Sequence, residues 1–177
     1  MKKAIIIIII GVILLSLIIF IYLNKINEEK VYLNKMEIKS IFGNNGQIPI
    51  KYTGKGEDVN PRLDISNIPK NAKSLVLIMD DPDAPVGIWV HWVVWNIPIA
   101  SNIKEDSNPG VLGVNSWGRN DYGGPNPPSG THRYFFKLYA LDKELDLPES
   151  SLKKDVEKAM NGHILDKAEL IGLYSKK

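Results

Sequence analysis

The chain has 177 residues, of which 22 are Lys or Arg and 20 are Asp or Glu, so the formal net charge is only +2. No basic cluster stands out in the sequence, which argues against nucleic acid as a partner. The absence of cysteine excludes disulfide bonds, thiolate metal sites and cysteine nucleophiles.

The N-terminal segment from Ala4 to Leu23 is apolar and uncharged. At ~1.5 Å per residue, its length roughly matches the core of a bilayer, about 30 Å thick. A cleaved signal peptide is the alternative, because Lys2 and Lys3 form a basic start, but no small-residue cleavage site follows. We therefore expect a membrane anchor at residues 1–23, a polar stalk at residues 24–35, and a single-pass protein whose domain lies outside the cytoplasm.

The remaining residues, 36–177, have the size of one domain. Their short apolar runs are separated by Gly, Pro, Asn and Asp clusters, which is typical of an antiparallel β domain. Strands are predicted at residues 74–79, 89–97 and 133–141, with a closing strand at residues 168–174. The first three strands are apolar on both faces, which predicts a central position in the sheet.

A single helix is predicted after the third of these strands. Ser151 can cap it, Leu152, Val156 and Met160 follow at helical spacing, and Asn161-Gly162 can end it. The predicted fold is therefore mainly β: antiparallel sheets packed as a sandwich, with one or two small peripheral helices, in addition to the N-terminal transmembrane helix.

Two histidines lie in or beside strands that are otherwise apolar. In an ideal strand, His91 shares a face with Trp89, Val93 and Trp95, whereas His132 lies at the start of a different strand. If the two strands pair, one patch holds both imidazoles. The alternative is that each histidine is a core residue hydrogen-bonded to a nearby carboxylate.

Other polar groups can join the same patch. The hydroxyl of Tyr134 shares a face with His132, and Asp81 and Asp83 follow the strand at residues 74–79. The loop at residues 122–131 is rich in Gly and Pro, so its backbone can approach a ligand and form an anion nest, or it is simply a tight connection between strands.

Three runs of sequence resemble the signature regions of a known family. They are residues 75–85 (Leu-Val-Leu-Ile-Met-Asp-Asp-Pro-Asp-Ala-Pro), residues 89–96 (Trp-Val-His-Trp-Val-Val-Trp-Asn) and residues 124–134 (Gly-Pro-Asn-Pro-Pro-Ser-Gly-Thr-His-Arg-Tyr). The chain from Met36 to Lys177 resembles the phosphatidylethanolamine-binding protein family, in its bacterial and archaeal branch, which is similar to Raf kinase inhibitors.

This resemblance implies a β fold with a shallow pocket that accepts phosphate, acetate or a phospholipid head group, and it implies no cofactor. The implied ligand-binding residues are Asp81, His91, Gly124, Pro127, Pro128, His132 and Tyr134. Asp83 and Arg133 are implied to be buried supports. Only residues 86–88 separate the first two signature runs, where eukaryotic members carry a longer insert, so the kinase contacts of those members do not transfer.

The sequence thus predicts a membrane-tethered binding protein with an anion pocket and no catalytic residues, which binds phosphate more tightly as the histidines become protonated. One alternative is an inhibitor of a protease or a kinase that acts through surface loops, with the pocket incidental. Another is a metal-dependent hydrolase that uses Asp81, Asp83, His91 and His132. Family analogy also makes a homodimer plausible.

Overall fold

The computed structural model describes residues 2–33 and 35–176, with the side chains of residues 12–26, 28 and 35–176. The chain divides into two compact units, Met1–Lys35 and Met36–Lys177. The first unit contains helix α1 (Lys2–Leu33). Most of the predicted polar stalk is therefore helical.

The structure corrects the prediction of a membrane anchor. In the part of the chain that it describes, no helix is both long enough and apolar enough to cross a membrane. In the segment from Ala4 to Leu23, the side chains of residues 4–11 lie outside the described set. This finding overturns four predictions: the transmembrane helix, the membrane tether, the single-pass localisation and the placement of the domain outside the cytoplasm.

The second unit is built mainly from strands. Within residues 36–176 these are β1 (Glu37–Ser40), β2 (Gly46–Gln47), β3 (Leu63–Ser66), β4 (Ser74–Asp81), β5 (Trp89–Ile97), β6 (Asn102–Ile103), β7 (Val111–Leu112), β8 (Thr131–Leu141) and β9 (Ile164–Ser175). A short 3-10 helix at Ile50–Tyr52 and helix α2 (Lys153–Met160) accompany them. The mainly β fold predicted for this unit is confirmed.

The strands form two sheets. The larger has the order β2-β9-β8-β4-β5-β7, and the smaller has the order β1-β3-β6. Neighbouring strands are antiparallel except for β2 and β9, which are parallel over a short stretch. All the residues of β4 are buried. The central position predicted for β4 and β8 from their apolar runs is therefore confirmed.

The larger sheet packs on both of its faces. On one face, β4 residues such as Leu77 share a core with Leu63 of the smaller sheet. On the other face, Ile78 packs with Val156 and Met160 of α2, whose i, i+4 spacing gives the helix an apolar side. This layered arrangement brings the ends of β4, β5 and β8 together at one edge of the sandwich.

The predicted elements match the observed ones closely, apart from the start of α2. Strands β4, β5, β8 and β9 contain the four predicted strands, and α2 ends at Met160 as expected. Ser151 does not cap the helix, because Leu152 occupies that position. The Leu152 backbone N–H donates instead to Asp155, at 2.9 Å. The carbonyl of Ser151 accepts the N–H of Val114 at 3.0 Å, which ties the helix start to a neighbouring loop.

Candidate functional site

A cavity of about 250 Å³ lies where β4 ends and β5 and β8 begin. Six of the seven predicted ligand-binding residues line it: Asp81, His91, Pro127, Pro128, His132 and Tyr134. Val86 and Trp117 also line it and are 77% and 43% exposed. The cavity therefore has a buried polar floor and a partly apolar mouth that opens to solvent.

A β-bulge sets the direction of His91. Met79 of β4 pairs with Trp92, but the next residue, Asp80, pairs with Val90, so His91 is an extra residue without a partner in the register. Bulges re-aim side chains in this way and are common beside functional sites. The His91 ring consequently lies 5.1 Å from the ring of Tyr134, edge to face.

The bulge also explains why the sequence predicted the wrong face of β5 for His91. Strict alternation places His91 with Val93 and Trp95, but those two residues pack in the core against α2. Tyr134 and Trp92 belong to the opposite core. The two histidine strands also do not pair directly, because β4 lies between β5 and β8. The common patch of two imidazoles forms nevertheless, across β4.

Two hydrogen bonds join His91 to Gly123. The Gly123 N–H donates to the His91 carbonyl oxygen at 3.1 Å, and His91 Nδ1 donates to the Gly123 carbonyl oxygen at 2.6 Å. Burial lowers the pKa of His91, which is only 2% exposed. The other ring nitrogen, Nε2, is buried and has no hydrogen-bond partner among the described residues.

His132 and Asp81 form the second polar pair of the cavity. His132 Nδ1 donates to Asp81 Oδ2 at 2.7 Å, and both side chains are buried. The second carboxylate oxygen, Asp81 Oδ1, accepts the backbone N–H of Asp83 at 2.8 Å. The Asp81 carboxylate thus orients the imidazole and leaves His132 Nε2 for other contacts.

Tyr134 also lines the cavity. Its hydroxyl is buried and has no partner among the described residues, and burial, helped by the negative charge of Asp81, raises the pKa of the phenol well above its ordinary value. Trp92 Nε1 and Trp95 Nε1 also lack partners in the described part of the chain, but neither tryptophan lines the cavity. Of the partnerless atoms found there, His91 Nε2 and the Tyr134 hydroxyl oxygen belong to side chains that line the cavity.

The predicted supporting pair is present but is not buried. Arg133 donates to both carboxylate oxygens of Asp83, at 2.9 and 2.7 Å, and its backbone N–H donates to the same carboxylate at 2.9 Å. The Arg133 guanidinium lowers the pKa of Asp83 to about 2. The Arg133 side chain is 53% exposed, because it lies on the outer side of β8. The pair holds the β4–β5 turn onto β8.

Gly124 is the predicted residue that does not line the cavity. Its N–H donates to Asp58 Oδ1 at 2.6 Å. A Cβ atom at this position would lie 2.7 Å from the Cα of Thr53, so glycine is required for close packing of the two segments. Gly124 therefore positions the loop that carries Pro127 and Pro128.

The sequence prediction missed Trp117, which lines the cavity, and the contact that Gly123 makes with it. The Trp117 ring lies 5.0 Å from the His91 ring and 5.4 Å from the Trp89 ring. A Cβ on Gly123 would come within 2.4 Å of the Trp117 ring, so only glycine leaves room for it. Asn115 fixes the loop by accepting the Trp117 N–H at 3.0 Å. These contacts join distant loops, and no local sequence signal marks them.

The described residues contain no group of three or more His, Asp or Glu side chains placed to hold a metal ion. Asp83, which the hydrolase alternative counts as a ligand, is bonded to Arg133 instead. Asp81 and His132 are bonded to each other.

Together, the sandwich fold and the cavity define a β-domain with a small polar pocket at one edge of its larger sheet. The chain matches the family model described as phosphatidylethanolamine-binding protein over residues 38–175. The chain therefore belongs to the phosphatidylethanolamine-binding protein family, as the signature runs predicted.

Relatives and solved structures agree with this assignment. The chain is 46% identical to a UPF0098 protein of Pyrococcus horikoshii over 161 residues, which cover 85% of this chain and 80% of the relative. It is 50% identical to a UPF0098 protein of Methanothermobacter thermautotrophicus over 143 residues, or 76% and 95% of the two chains. A phosphatidylethanolamine-binding protein homolog of Chlamydia trachomatis superposes with a TM-score of 0.79 at 41% identity, covering 81% of this chain and 99% of that one. The structure of Escherichia coli YbcL superposes with a TM-score of 0.74 at 28% identity, with the same coverage of the two chains.

Proposed function

We propose that this protein binds a small oxyanion in the cavity, either free phosphate or the phosphate of a phospholipid head group, without turning it over. One observation carries the proposal: His91 Nε2 and the Tyr134 hydroxyl, two buried polar atoms without partners among the described residues, belong to side chains that line the same cavity. Buried polar groups in proteins are nearly always hydrogen-bonded, so such a pair calls for a ligand that completes it. The description of the family as phosphatidylethanolamine-binding supports the same ligand chemistry.

The size of the cavity limits the ligand. A cavity of about 250 Å³ has room for a phosphate with a short substituent. The substituent of a head group would leave through the mouth, where Val86 and Trp117 are exposed.

The charge of the site also bears on anion binding. The Asp81 carboxylate repels an anion, but His132 lies directly against it at 2.7 Å. The tighter binding of phosphate at lower pH that the sequence predicted stays a prediction.

The test is calorimetric titration of the full-length protein with inorganic phosphate and with phosphoethanolamine, beside a variant that combines His91→Ala with His132→Ala. The matched control is His163→Ala, because His163 lies outside the cavity and is bonded to Asp142 at 2.9 Å. We expect saturable binding by wild type and control, weakened at least about tenfold in the double variant.

Absence of binding by a folded wild-type protein would overturn the proposal and would favour the inhibitor alternative, which stays a prediction of the sequence. Binding that survives in the double variant would place the anion elsewhere on the protein.

A further inference from the structure

The hydrogen bonding of His91 determines which ring nitrogen carries the proton. Nδ1 lies 2.6 Å from the carbonyl oxygen of Gly123, and because a carbonyl oxygen only accepts, Nδ1 must donate. In a neutral imidazole the other nitrogen, Nε2, is then a hydrogen-bond acceptor. Nε2 is buried and has no partner in the part of the chain that the structure describes. A ligand that reaches this atom has to supply a donor.

The neighbouring groups impose the same condition. His132 Nδ1 donates to Asp81, so a neutral His132 also presents Nε2 as an acceptor. The Asp81 carboxylate is a further acceptor in the wall of the cavity. Of these four side chains, only Tyr134 offers a donor. An oxyanion without a proton would meet lone pairs at three of the four groups.

Building on the proposed function, we infer that the pocket selects oxyanions that carry a proton of their own. A phosphate with a P–OH group donates to His91 Nε2 and accepts from the Tyr134 hydroxyl. Sulfate has the same tetrahedral shape but no proton near neutral pH, so it leaves Nε2 unpaired and places an oxygen lone pair against it. By the same reasoning, near neutral pH the pocket prefers inorganic phosphate, which keeps a P–OH group as a dianion, to phosphate esters, which do not.

The surroundings of His91 keep it in the acceptor form. The titratable groups that act on it come from three parts of the fold: Asp81, His132 and Tyr134 line the cavity with it, and the charges of Asp80 and Asp58 act on it from outside the cavity. The carboxylates raise the pKa of His91, but burial has the larger effect and lowers it. The neutral imidazole is the form that a ligand meets at neutral pH.

The first experiment compares inorganic phosphate with sulfate in calorimetric titrations of the full-length protein near pH 8, where both are mainly dianions. Because a buried acceptor without a partner costs about one to two powers of ten in affinity, phosphate is expected to bind at least about tenfold more tightly. Equal binding would overturn the selection and leave the proposed function intact. Absence of binding by either anion would overturn the proposed function itself.

The second experiment uses the proton of the ligand as the variable. Methyl phosphate loses its P–OH proton above its second pKa, about 6 for a phosphate ester, whereas inorganic phosphate still carries one P–OH as a dianion. We expect the affinity for methyl phosphate to fall at least about tenfold, relative to that for inorganic phosphate, between about pH 6 and pH 8. A constant ratio would contradict the selection, because titration of the protein affects both ligands alike.

The variant His91→Ala tests whether His91 Nε2 is the atom that selects the protonated anion. In His91→Ala the acceptor is gone, so the ratio of phosphate to sulfate affinity is expected to fall toward one, even when both anions bind weakly. His163→Ala should keep the wild-type ratio. A full ratio in His91→Ala would show that another group recognises the proton of the ligand.

Discussion

Strand β4 ends in two adjacent aspartates that face opposite sides of the same sheet. Asp80 is 1% exposed and is paired with two lysines, at 2.8 Å from Lys137 and 2.5 Å from Lys153. Asp81 is 3% exposed and is bonded to one imidazole, that of His132, and to one backbone N–H. The first carboxylate lies in a closed ion cluster, and the second forms part of the wall of a cavity.

The two sites have different roles because of what surrounds each carboxylate. Around Asp80, two ammonium groups compensate one buried charge, and Lys153 fastens α2 to the sheet. Around Asp81, His91 and Tyr134 have buried polar atoms that lack partners among the described residues. A buried charge that has its partners is costly to break, whereas the buried charge beside partnerless groups is the one to which the proposed ligand would bind.

The largest effect on stability is expected from Asp80→Asn. This change removes the charge that Lys137 and Lys153 compensate, and both ammonium groups are only partly exposed. We expect the free energy of unfolding to fall by about 2–3 kcal/mol, measured by urea denaturation. Phosphate affinity should stay within about twofold of the wild type, since the cluster faces away from the cavity.

Asp64→Asn is the matched control for this change. Asp64 is bonded to Arg62 in an exposed pair, at 2.7 Å. Exposed pairs contribute little, so no measurable change in unfolding is expected. A similar loss of stability in both variants would mean that burial of the Asp80 cluster has no special importance.

The next largest effect is expected from Tyr134→Phe, which should raise stability and weaken phosphate binding. Tyr134→Phe removes a buried hydroxyl that has no partner, so the free energy of unfolding is expected to rise by about 1 kcal/mol. Phosphate affinity should fall about tenfold, because the donor is lost. Tyr139→Phe, on the other face of β8, is the control and should leave phosphate affinity unchanged. A loss of stability without a loss of binding in Tyr134→Phe would contradict the ligand site.

The free energy of unfolding should also depend on pH through His91, which lies at the Asp81 site. The folded-state pKa of His91 lies below its ordinary value of 6.5, so below that pH the unfolded chain takes up the proton first. The free energy of unfolding therefore falls as pH drops below about 6.5, by about 1.4 kcal/mol for each unit of lowered pKa. His91→Gln should flatten this dependence, whereas His163→Gln should not. The measurement is urea denaturation from pH 7 to pH 5.

The smallest effect is expected at the exposed pair beside the cavity. Asp83→Asn weakens the bonds to Arg133 and should lower the free energy of unfolding by about 0.5 kcal/mol at neutral pH, because solvent screens the pair. The pKa of Asp83 is lowered to about 2, so the contribution is present above about pH 4 and is lost as pH falls through 2. A difference between wild type and variant that persists at lower pH would contradict an ionic origin.

Much of the fold was predictable because local patterns determine it. The apolar runs of β4, β5 and β8 have strand length and end at turn residues, and the structure places these strands in the larger sheet. Six of the residues that the signature runs implied as ligand-binding line the cavity, and their role in binding stays a prediction. The apolar run at the N-terminus was wrongly predicted to be a membrane anchor.

The missed features depend on contacts between distant segments. Strict alternation predicts the face of His91 incorrectly, because a register shift against β4 is a result of tertiary packing. The contact of Gly123 with Trp117 depends on how one loop folds over another. The exposure of Arg133 follows from its outward direction at the start of β8, which its sequence neighbours do not reveal.

The two hydrogen bonds between His91 and Gly123 have a consequence for proton exchange. The imidazole Nδ1–H is buried and donates to a carbonyl oxygen of a segment that is itself bonded to the backbone of His91. This ring proton can reach solvent only when that segment separates from the edge of β5. In a proton NMR spectrum it should give a slowly exchanging imidazole signal, and its exchange rate would measure how often the floor of the cavity opens.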